Sequence, residues 1–253
     1  LLSFTANKMA DDFLKQLGIT KTDADKKITE NILGGYINTY GIKNLKNIAA
    51  GNRAGIAKDL LAYTKKHTAS LAFSAAYNNL RNNNKPVMHK VTTPEENRKQ
   101  TITENEKAVA SMEKLVKTAT AQTKAPFEQA LADARKGLKE AQDPNNNQLT
   151  AYEKNYPALQ KQFQDSYENE IKEWGKKYPA NQILFVKEQL LQFMEETREI
   201  DFAAALTDRN GKKVFVSPVY ENKSKNWKMA FRAGKDVVET SRTFVQTWIN
   251  EIK

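Results

Sequence analysis

The sequence predicts a mainly α-helical protein: a multi-helix body with a long antiparallel helical hairpin or coiled arm, and one small β-hairpin near residues 201–219. Apolar residues recur at alternating steps of three and four inside charged sequence, which is typical of amphipathic helices. The seven prolines and ten glycines mostly punctuate runs of good helix formers. Asn210-Gly211 between two short strand-like segments is a strong hairpin signal.

The first 92 residues predict a succession of helices. The first covers residues 10–17, and the second begins near Thr22 and continues through Tyr36 and Ile37. A third helical stretch, residues 52–83, has a predicted break near His67. The pair Gly34-Gly35 is costly inside a helix, so we interpret it as the close approach of a neighbouring helix or as an early helix end.

The segment Thr93-Pro94-Glu95-Glu96 predicts a helix start, because threonine can cap, proline suits the first helical position and Glu96 can bond back to the cap. Apolar residues at heptad positions then predict two helices packed as a hairpin. On the first helix these positions are Ile102, Val109, Met112, Val116 and Ala119, with the polar Asn105 among them, and on the second they are Phe127, Leu131, Ala134, Leu138 and Ala141.

A third long helix is predicted after the turn-rich segment 143–147. Pro157 inside it predicts a kink or a restart. Since the connection is short, the helices on its two sides should pack antiparallel. The apolar positions of this third helix are Leu149, Tyr152, Tyr156, Leu159, Phe163, Tyr167, Ile171 and Trp174.

The last part of the chain supplies the predicted core. Residues 183–194 are apolar nearly all round, which predicts a helix buried by several neighbours. After the β-hairpin, apolar residues from Trp227 to Ile252 predict a long amphipathic terminal helix, with an interruption possible at Gly234.

Charge suggests the domain organisation. The net charge of +10 is the sum of +8 before Thr93, −3 up to Asp201 and +5 after it. We therefore expect residues 1–92 and 179–253 to form a helical body with the small β-hairpin, and residues 93–178 to form an inserted arm of long helices. Such asymmetry bears on partners more than on fold.

Catalytic and metal-binding motifs are missing from the sequence. It has no nucleophile elbow, phosphate-binding glycine loop or His-Glu-x-x-His motif, and it contains no cysteine. A zinc site would need both histidines, His67 and His89, together with a carboxylate. We interpret His67 as part of a solvated helix face, and we expect no cofactor and no enzymatic activity.

Acidic clusters offer a weaker route to chemistry. Glu196 and Glu199 end the predicted core helix, and a general acid or base there would need burial and a raised pKa beside a cleft. We interpret these clusters as solvated, salt-bridged surface.

A basic block is the main candidate for binding. Between Asn31 and Val91 there are nine Lys and Arg residues and one acid, Asp59, with aromatic residues interleaved. Such a block can bind single-stranded nucleic acid, anionic lipid, acidic glycan or an acidic protein. The candidate anion- or partner-binding residues are Lys43, Lys46, Arg53, Lys58, Lys65, Lys66 and Arg81.

The absence of cysteine also favours an oxidising compartment, so the sequence predicts a periplasmic or secreted bacterial protein. The opening residues Leu1-Leu2-Ser3 are similar to the end of a signal peptide's apolar region. No apolar run reaches the length of a membrane helix.

These observations together predict a non-enzymatic, exported helical interaction protein, either chaperone-like or an envelope-associated scaffold, whose partner is another protein or an anionic envelope component. Binding of nucleic acid or another polyanion through the basic block is one alternative. A small-ligand carrier or a helical hydrolase is another, and it requires a pocket with two or more convergent polar groups.

Overall fold

A computed structural model describes residues 13–35 and 50–253, and it confirms the mainly α-helical fold class. Residues 13–17 are helical, and residues 50–52 form a single 3₁₀ turn. The helices are α1 Lys21–Gly34, α2 Arg53–Thr68, α3 Leu71–Asn83, α4 Pro94–Thr118, α5 Lys124–Gln142, α6 Asn147–Lys177, α7 Gln182–Glu196, α8 Pro218–Glu221, α9 Lys225–Ala233 and α10 Lys235–Glu251.

The described residues form two compact units. Those up to Lys85 and from Trp174 onward make the first unit, and Pro86–Glu173 make the second. We call them the core unit and the long-helix unit. The interpretation of the second as an inserted arm stays a prediction.

The main core lies in the core unit, where helices α3, α7 and α10 meet. The side chains of Phe73, Tyr77 and Val186 are fully buried there, and Trp248 is 3% exposed. Tyr77 keeps its hydroxyl satisfied by donating to the backbone oxygen of Pro179 at 2.6 Å. Since burying an unpaired hydroxyl would be costly, this bond lets a tyrosine occupy the centre of an apolar cluster.

A smaller cluster holds the first helices together. Phe13, Leu14 and Leu17 are buried and pack with Ala24, at the start of α1. The prediction of a helix up to residue 17 is confirmed over residues 13–17, and its first residues lie outside the described part. So do Tyr36 and Ile37.

Helix α1 ends at the glycine pair. Gly35 is the C-cap with φ +64°, a left-handed conformation that favours glycine, and its N–H donates to the oxygen of Asn31. A Cβ at Gly35 would lie 3.1 Å from Oε1 of Gln189 on α7. An early helix end and a close neighbouring helix are therefore both found at this pair.

The predicted break near His67 is also confirmed. Helix α2 ends at Thr68, and Ser70 caps α3 by accepting a hydrogen bond from the N–H of Phe73 at 3.2 Å. A serine in extended conformation thus starts the new helix two residues after the old one ends.

Helix α7 corrects the prediction of a helix buried on all sides. Phe185, Val186 and Leu190 are buried, but Leu184 is 38% exposed and Leu191 is 42% exposed. Residues 183–194 contain more apolar side chains than the neighbouring elements cover, because only one face of α7 points into the core.

The predicted β-hairpin is present. Strands β1 (Leu206–Arg209) and β2 (Lys212–Phe215) pair antiparallel, and Asn210 (φ 53°) and Gly211 (φ 74°) form the two-residue turn. Positive φ at both positions is what a type I′ turn requires. The ring of Phe215 lies 4.8 Å from that of Phe231 on α9, which anchors the hairpin to the helices after it.

The terminal helical region is interrupted at Gly234, as the sequence suggested. Helix α9 ends before it and α10 starts after it, and Gly234 itself has φ 99°. Helix α10 then buries Val238, Val245, Trp248 and Ile249 on one face.

The long-helix unit starts with the predicted capping box. The N–H of Glu96 donates to Oγ1 of Thr93 at 3.1 Å, and the N–H of Thr93 donates to Oε2 of Glu96 at 3.0 Å. Helices α4 and α5 pack against each other as the predicted hairpin. Helix α6 continues through Pro157 without a restart.

Candidate functional site

The long helices bury very little of their apolar surface. Helices α4, α5 and α6 contain 25, 19 and 31 residues, yet among the described residues only Ala141 and Leu149 in these helices are buried. The core unit of the same chain, by contrast, buries large aromatic side chains completely. This partly open apolar surface makes the long helices a candidate for binding.

The seam between α4 and α5 is held at a definite register. A Cβ at Gly137 would lie 2.9 Å from Oδ1 of Asn105, the polar member of the heptad pattern. Asn105 in turn donates from Nδ2 to the oxygen of Thr101 at 2.8 Å. An ion pair between Arg135 of α5 and Glu113 of α4, at 2.9 Å, also joins the two helices. A polar residue facing a glycine fixes which turns of the two helices oppose each other.

A row of apolar residues on α6 is partly exposed, and we call it the α6 stripe. Phe163 is 38% exposed, and the other members are half-buried. Within the described part of the chain, no aromatic ring contacts Phe163 or Tyr167. The α6 stripe consists of Tyr156, Leu159, Phe163, Tyr167 and Ile171.

The N-terminal end of α6 is better anchored than the stripe. The hydroxyl of Tyr152 donates to the oxygen of Thr92 at 2.7 Å, and its ring lies 6.4 Å from that of Tyr156. Leu149 is buried at the same end. The α6 stripe therefore begins just after the part of α6 that is held by these intramolecular contacts.

A cluster of polar side chains joins α1 to α2, and it corrects the interpretation of His67 as solvated. His67 is 8% exposed, its Nε2 lies 2.8 Å from Oγ1 of Thr29, and its Nδ1 lies 3.3 Å from Oδ1 of Asp25. Asp25 also accepts hydrogen bonds from the hydroxyl of Tyr63 and, at 2.6 Å, from Nζ of Lys21. Sequence reasoning missed the cluster because Asp25 and Thr29 are 42 and 38 residues from His67.

The order of groups in this cluster, carboxylate to imidazole to hydroxyl, is that of a nucleophilic triad. The hydroxyl of Thr29 also donates to the backbone oxygen of Asp25 at 2.9 Å, and whether Nε2 of His67 donates or accepts in its contact with Thr29 depends on the tautomer of the ring. A nucleophile would need Nε2 to accept the proton of this hydroxyl, and an open space beside it for a substrate. Neither of the two cavities found among the described residues is lined by Thr29 or His67.

Burial and charge shape the protonation of this cluster. Burial lowers the pKa of His67 despite the nearby carboxylate of Asp25. Burial works against the ionised form of Asp25, but the hydrogen bonds from Lys21 and Tyr63 outweigh it and lower the pKa of Asp25. Burial, and then the bond to Asp25, raises the pKa of Tyr63 to about 12. The arrangement holds a carboxylate and a neutral imidazole between two helices.

The structure describes five of the seven basic residues predicted from the sequence, four on α2 and one, Arg81, on α3. Lys43 and Lys46 lie outside the described residues. Arg53, Lys58, Lys65 and Lys66 lie on α2. Of these, Lys58 and Lys66 are exposed, whereas Lys65 is ion-paired with Glu251.

A groove beside α2 shows how acidic side chains offset the basic ones. It has a volume of about 530 Å³ and is lined by Lys58 and Lys65 from α2 and by Glu239 and Glu251 from α10. Two cations facing two carboxylates leave little net charge to attract a polyanion.

The side chain of Arg81 stacks and hydrogen-bonds within the core unit. Its guanidinium lies 4.0 Å from the ring centroid of Trp174, and its Nε donates to the oxygen of Tyr178 at 2.9 Å. The indole of Trp174 in turn donates to the oxygen of Arg81 at 2.9 Å. Stacking and hydrogen bonding of this kind hold α3 against the end of α6 in the core unit.

The sequence predicts Glu196 and Glu199 to be solvated surface, but the two side chains differ in exposure and in contacts. Glu199 is exposed. Glu196 is half-buried, accepts from Nδ2 of Asn226 at 2.6 Å, and borders the smaller of the two cavities. Within residues 13–35 and 50–253, no three His, Asp or Glu side chains are grouped as metal ligands would be.

Comparisons with protein-family models, with curated proteins and with solved structures found no match to this chain. Across the helices that the structure describes, none is long and apolar enough to cross a membrane.

Proposed function

We propose that this chain is a non-enzymatic interaction protein that binds another protein through the α6 stripe and the neighbouring seam of α4 and α5. The observation that supports it is that, among the described residues, the three long helices fully bury only Ala141 and Leu149, while the members of the α6 stripe are half-buried or exposed. Helices whose apolar positions keep a strict spacing but lack a covering layer are suited to contact with a further surface.

The stripe offers enough area to matter in binding. An aromatic side chain can bury about 150–250 Å². Covering the exposed 38% of Phe163 would remove roughly 60–95 Å² from water, about 2 kcal/mol, or a factor of about 30 in Kd. Three aromatic residues on one stripe, Tyr156, Phe163 and Tyr167, form the kind of surface that carries binding energy.

A chaperone-like use fits this surface best. The stripe is apolar and repetitive, with charged residues on both sides of it, so it can accept different apolar segments without a shaped pocket. Unfolded or partly folded proteins expose such segments. An envelope-associated scaffold that holds one fixed partner would use the same surface.

Two observations support a function without catalysis. The triad-like cluster is packed between two helices, where Thr29 and His67 line neither of the two cavities described above, and the sequence contains no catalytic motif. The lack of cysteine in 253 residues supports a periplasmic or secreted location. Cell fractionation with an antibody against the chain tests that location, and recovery in the cytoplasmic fraction alone would contradict it.

Binding to a permanently unfolded client tests the proposed function. Reduced, carboxymethylated α-lactalbumin with a fluorescent label is titrated with the full chain, and anisotropy is measured. We expect saturable binding by the wild type and a loss of at least roughly 30-fold in affinity for Phe163→Ser. The variant should keep its helix content by circular dichroism, because Phe163 is already partly solvated.

Leu71→Ser is the matched control, since Leu71 is 89% exposed and lies in the core unit. It removes more exposed apolar area than Phe163→Ser does, and it should bind the client as the wild type does. Equal binding by all three proteins would contradict a role for the stripe. Loss of wild-type binding with rising salt would instead favour a polyelectrolyte contact through the basic residues.

A further inference from the structure

The core unit contains a second, unrelated feature, a small apolar cavity between α1, α7 and α10. Its volume is about 180 Å³. The main core is otherwise closely packed around it, with Val245 1% exposed and Trp248 3% exposed. Its apolar walls are Ile32, Leu61, Leu190, Phe193, Val245 and Trp248.

An unpaired acceptor borders this cavity. Oδ1 of Asn31 is buried and, among the described residues, accepts no hydrogen bond. A buried polar atom without a partner is costly and is rare in folded proteins, so this acceptor suits a donor group that the described residues do not supply. The lining side chain of Ser241 is also 9% exposed.

A carboxylate adds a second acceptor to the same cavity. Glu196 lines it, and its two oxygens accept from Asn226 at 2.6 Å and from Gln192 at 3.1 Å. Each carboxylate oxygen has a further lone pair. Oδ1 of Asn31 and the carboxylate of Glu196 are both acceptors, which favours a ligand that carries a donor.

We propose that this cavity binds a small, mainly apolar molecule that carries one N–H or O–H donor, which bonds to Oδ1 of Asn31. Apolar walls with few, placed polar groups are the usual composition of small-molecule sites. A protein cavity of about 150 Å³ accommodates benzene. With about 180 Å³, this one has room for a bicyclic aromatic molecule.

Indole and benzofuran are the probes, because they have nearly the same shape and only indole has an N–H donor. Binding to the full chain is measured by isothermal titration calorimetry and by saturation-transfer NMR. We expect indole to bind with a Kd about two- to tenfold lower than that of benzofuran, the difference that one hydrogen bond supplies.

Two variants locate the site. Asn31→Leu should bring the affinity for indole to that for benzofuran, and it should raise the melting temperature, since it removes the unpaired acceptor. Ser241→Leu should fill the cavity and abolish binding of both probes. The melting curve of each variant shows that it is folded.

Several results would overturn the proposal. These are the absence of saturable indole binding to the wild type, equal affinities for indole and benzofuran, and retention of binding by Ser241→Leu. The α6 stripe takes no part in this site, so loss of client binding by Phe163→Ser would leave the result unaffected.

Discussion

The hydroxyl of Tyr63 provides a measurable link between the first two helices, and Tyr63→Phe removes it alone. The ring keeps its edge contact with Phe13, 5.9 Å between centroids, while Asp25 loses one donor. A hydrogen bond to an ionised acceptor contributes about 1.5–3 kcal/mol. Because the Asp25 side chain is 27% exposed, solvent screens the interaction, so we expect a loss near the lower end, about 1.5 kcal/mol.

The pH dependence of this loss identifies its cause. The pKa of Tyr63 is raised to about 12 in the folded protein, whereas an unfolded tyrosine titrates near 10. A raised pKa means that the folded state holds the proton more tightly. The contribution is therefore complete below pH 10 and is lost as the pH rises towards 12.

Urea unfolding followed by tryptophan fluorescence is the assay, because Trp174, Trp227 and Trp248 all lie in the core unit with Tyr63. Tyr152→Phe is the control, since that hydroxyl donates to a neutral backbone oxygen of the long-helix unit. The reasoning fails if Tyr63→Phe matches the wild type at pH 7, or if the difference between them grows above pH 10.

Two further predictions concern the long-helix unit and its end. Alanine in a helix is favoured over glycine by about 1 kcal/mol, and a Cβ at Gly175 meets nothing within 4 Å, so Gly175→Ala should stabilise by up to about that amount. Gly137→Ala should gain less than half as much in urea unfolding, because its Cβ would lie 2.9 Å from Oδ1 of Asn105; an equal gain for both would show that this contact yields freely. Thr93→Ala should cost about 1 kcal/mol in unfolding followed by circular dichroism, because it removes the cap of α4, and Thr92→Ala should have little effect. Equal effects of the two threonine variants would contradict the capping role.

Signals that span a few residues could be predicted from the sequence. The capping box at Thr93, the turn at Asn210-Gly211 and the interruption at Gly234 each depend on groups within about four residues. Their backbone preferences are nearly independent of the rest of the fold. The heptad spacing likewise predicted the pairing of α4 with α5, because the period of the pattern fixes the face that must be covered.

Features that depend on distant segments could not be predicted. His67 is 42 residues from its carboxylate, and Arg81 is 93 residues from the indole on which it stacks. A lysine-rich neighbourhood indicated solvent for His67, yet one side chain of a helix can point inward while its neighbours point outward. The basic residues were counted along the sequence, which gave no sign that Glu251 would pair with Lys65.

The cavity could not be predicted from the sequence either, because its size and lining depend on how side chains from separate helices pack. Asn31 and Ser241 are 210 residues apart and belong to patterns that look ordinary by themselves. The structure brings both side chains to the same cavity, where Oδ1 of Asn31 accepts no hydrogen bond among the described residues.

The two units place their apolar residues in opposite ways, and this difference links fold to function. The core unit surrounds Phe73, Tyr77 and Val186 completely, which secures its stability by burial. In the long-helix unit, the same residue types leave the α6 stripe partly in water, where each exposed side chain forgoes part of its transfer free energy. That free energy is recovered whenever another surface covers the stripe. Under the proposed function, this recovered free energy is the source of affinity for a partner, so a variant that buried the stripe internally should become more stable while it binds less.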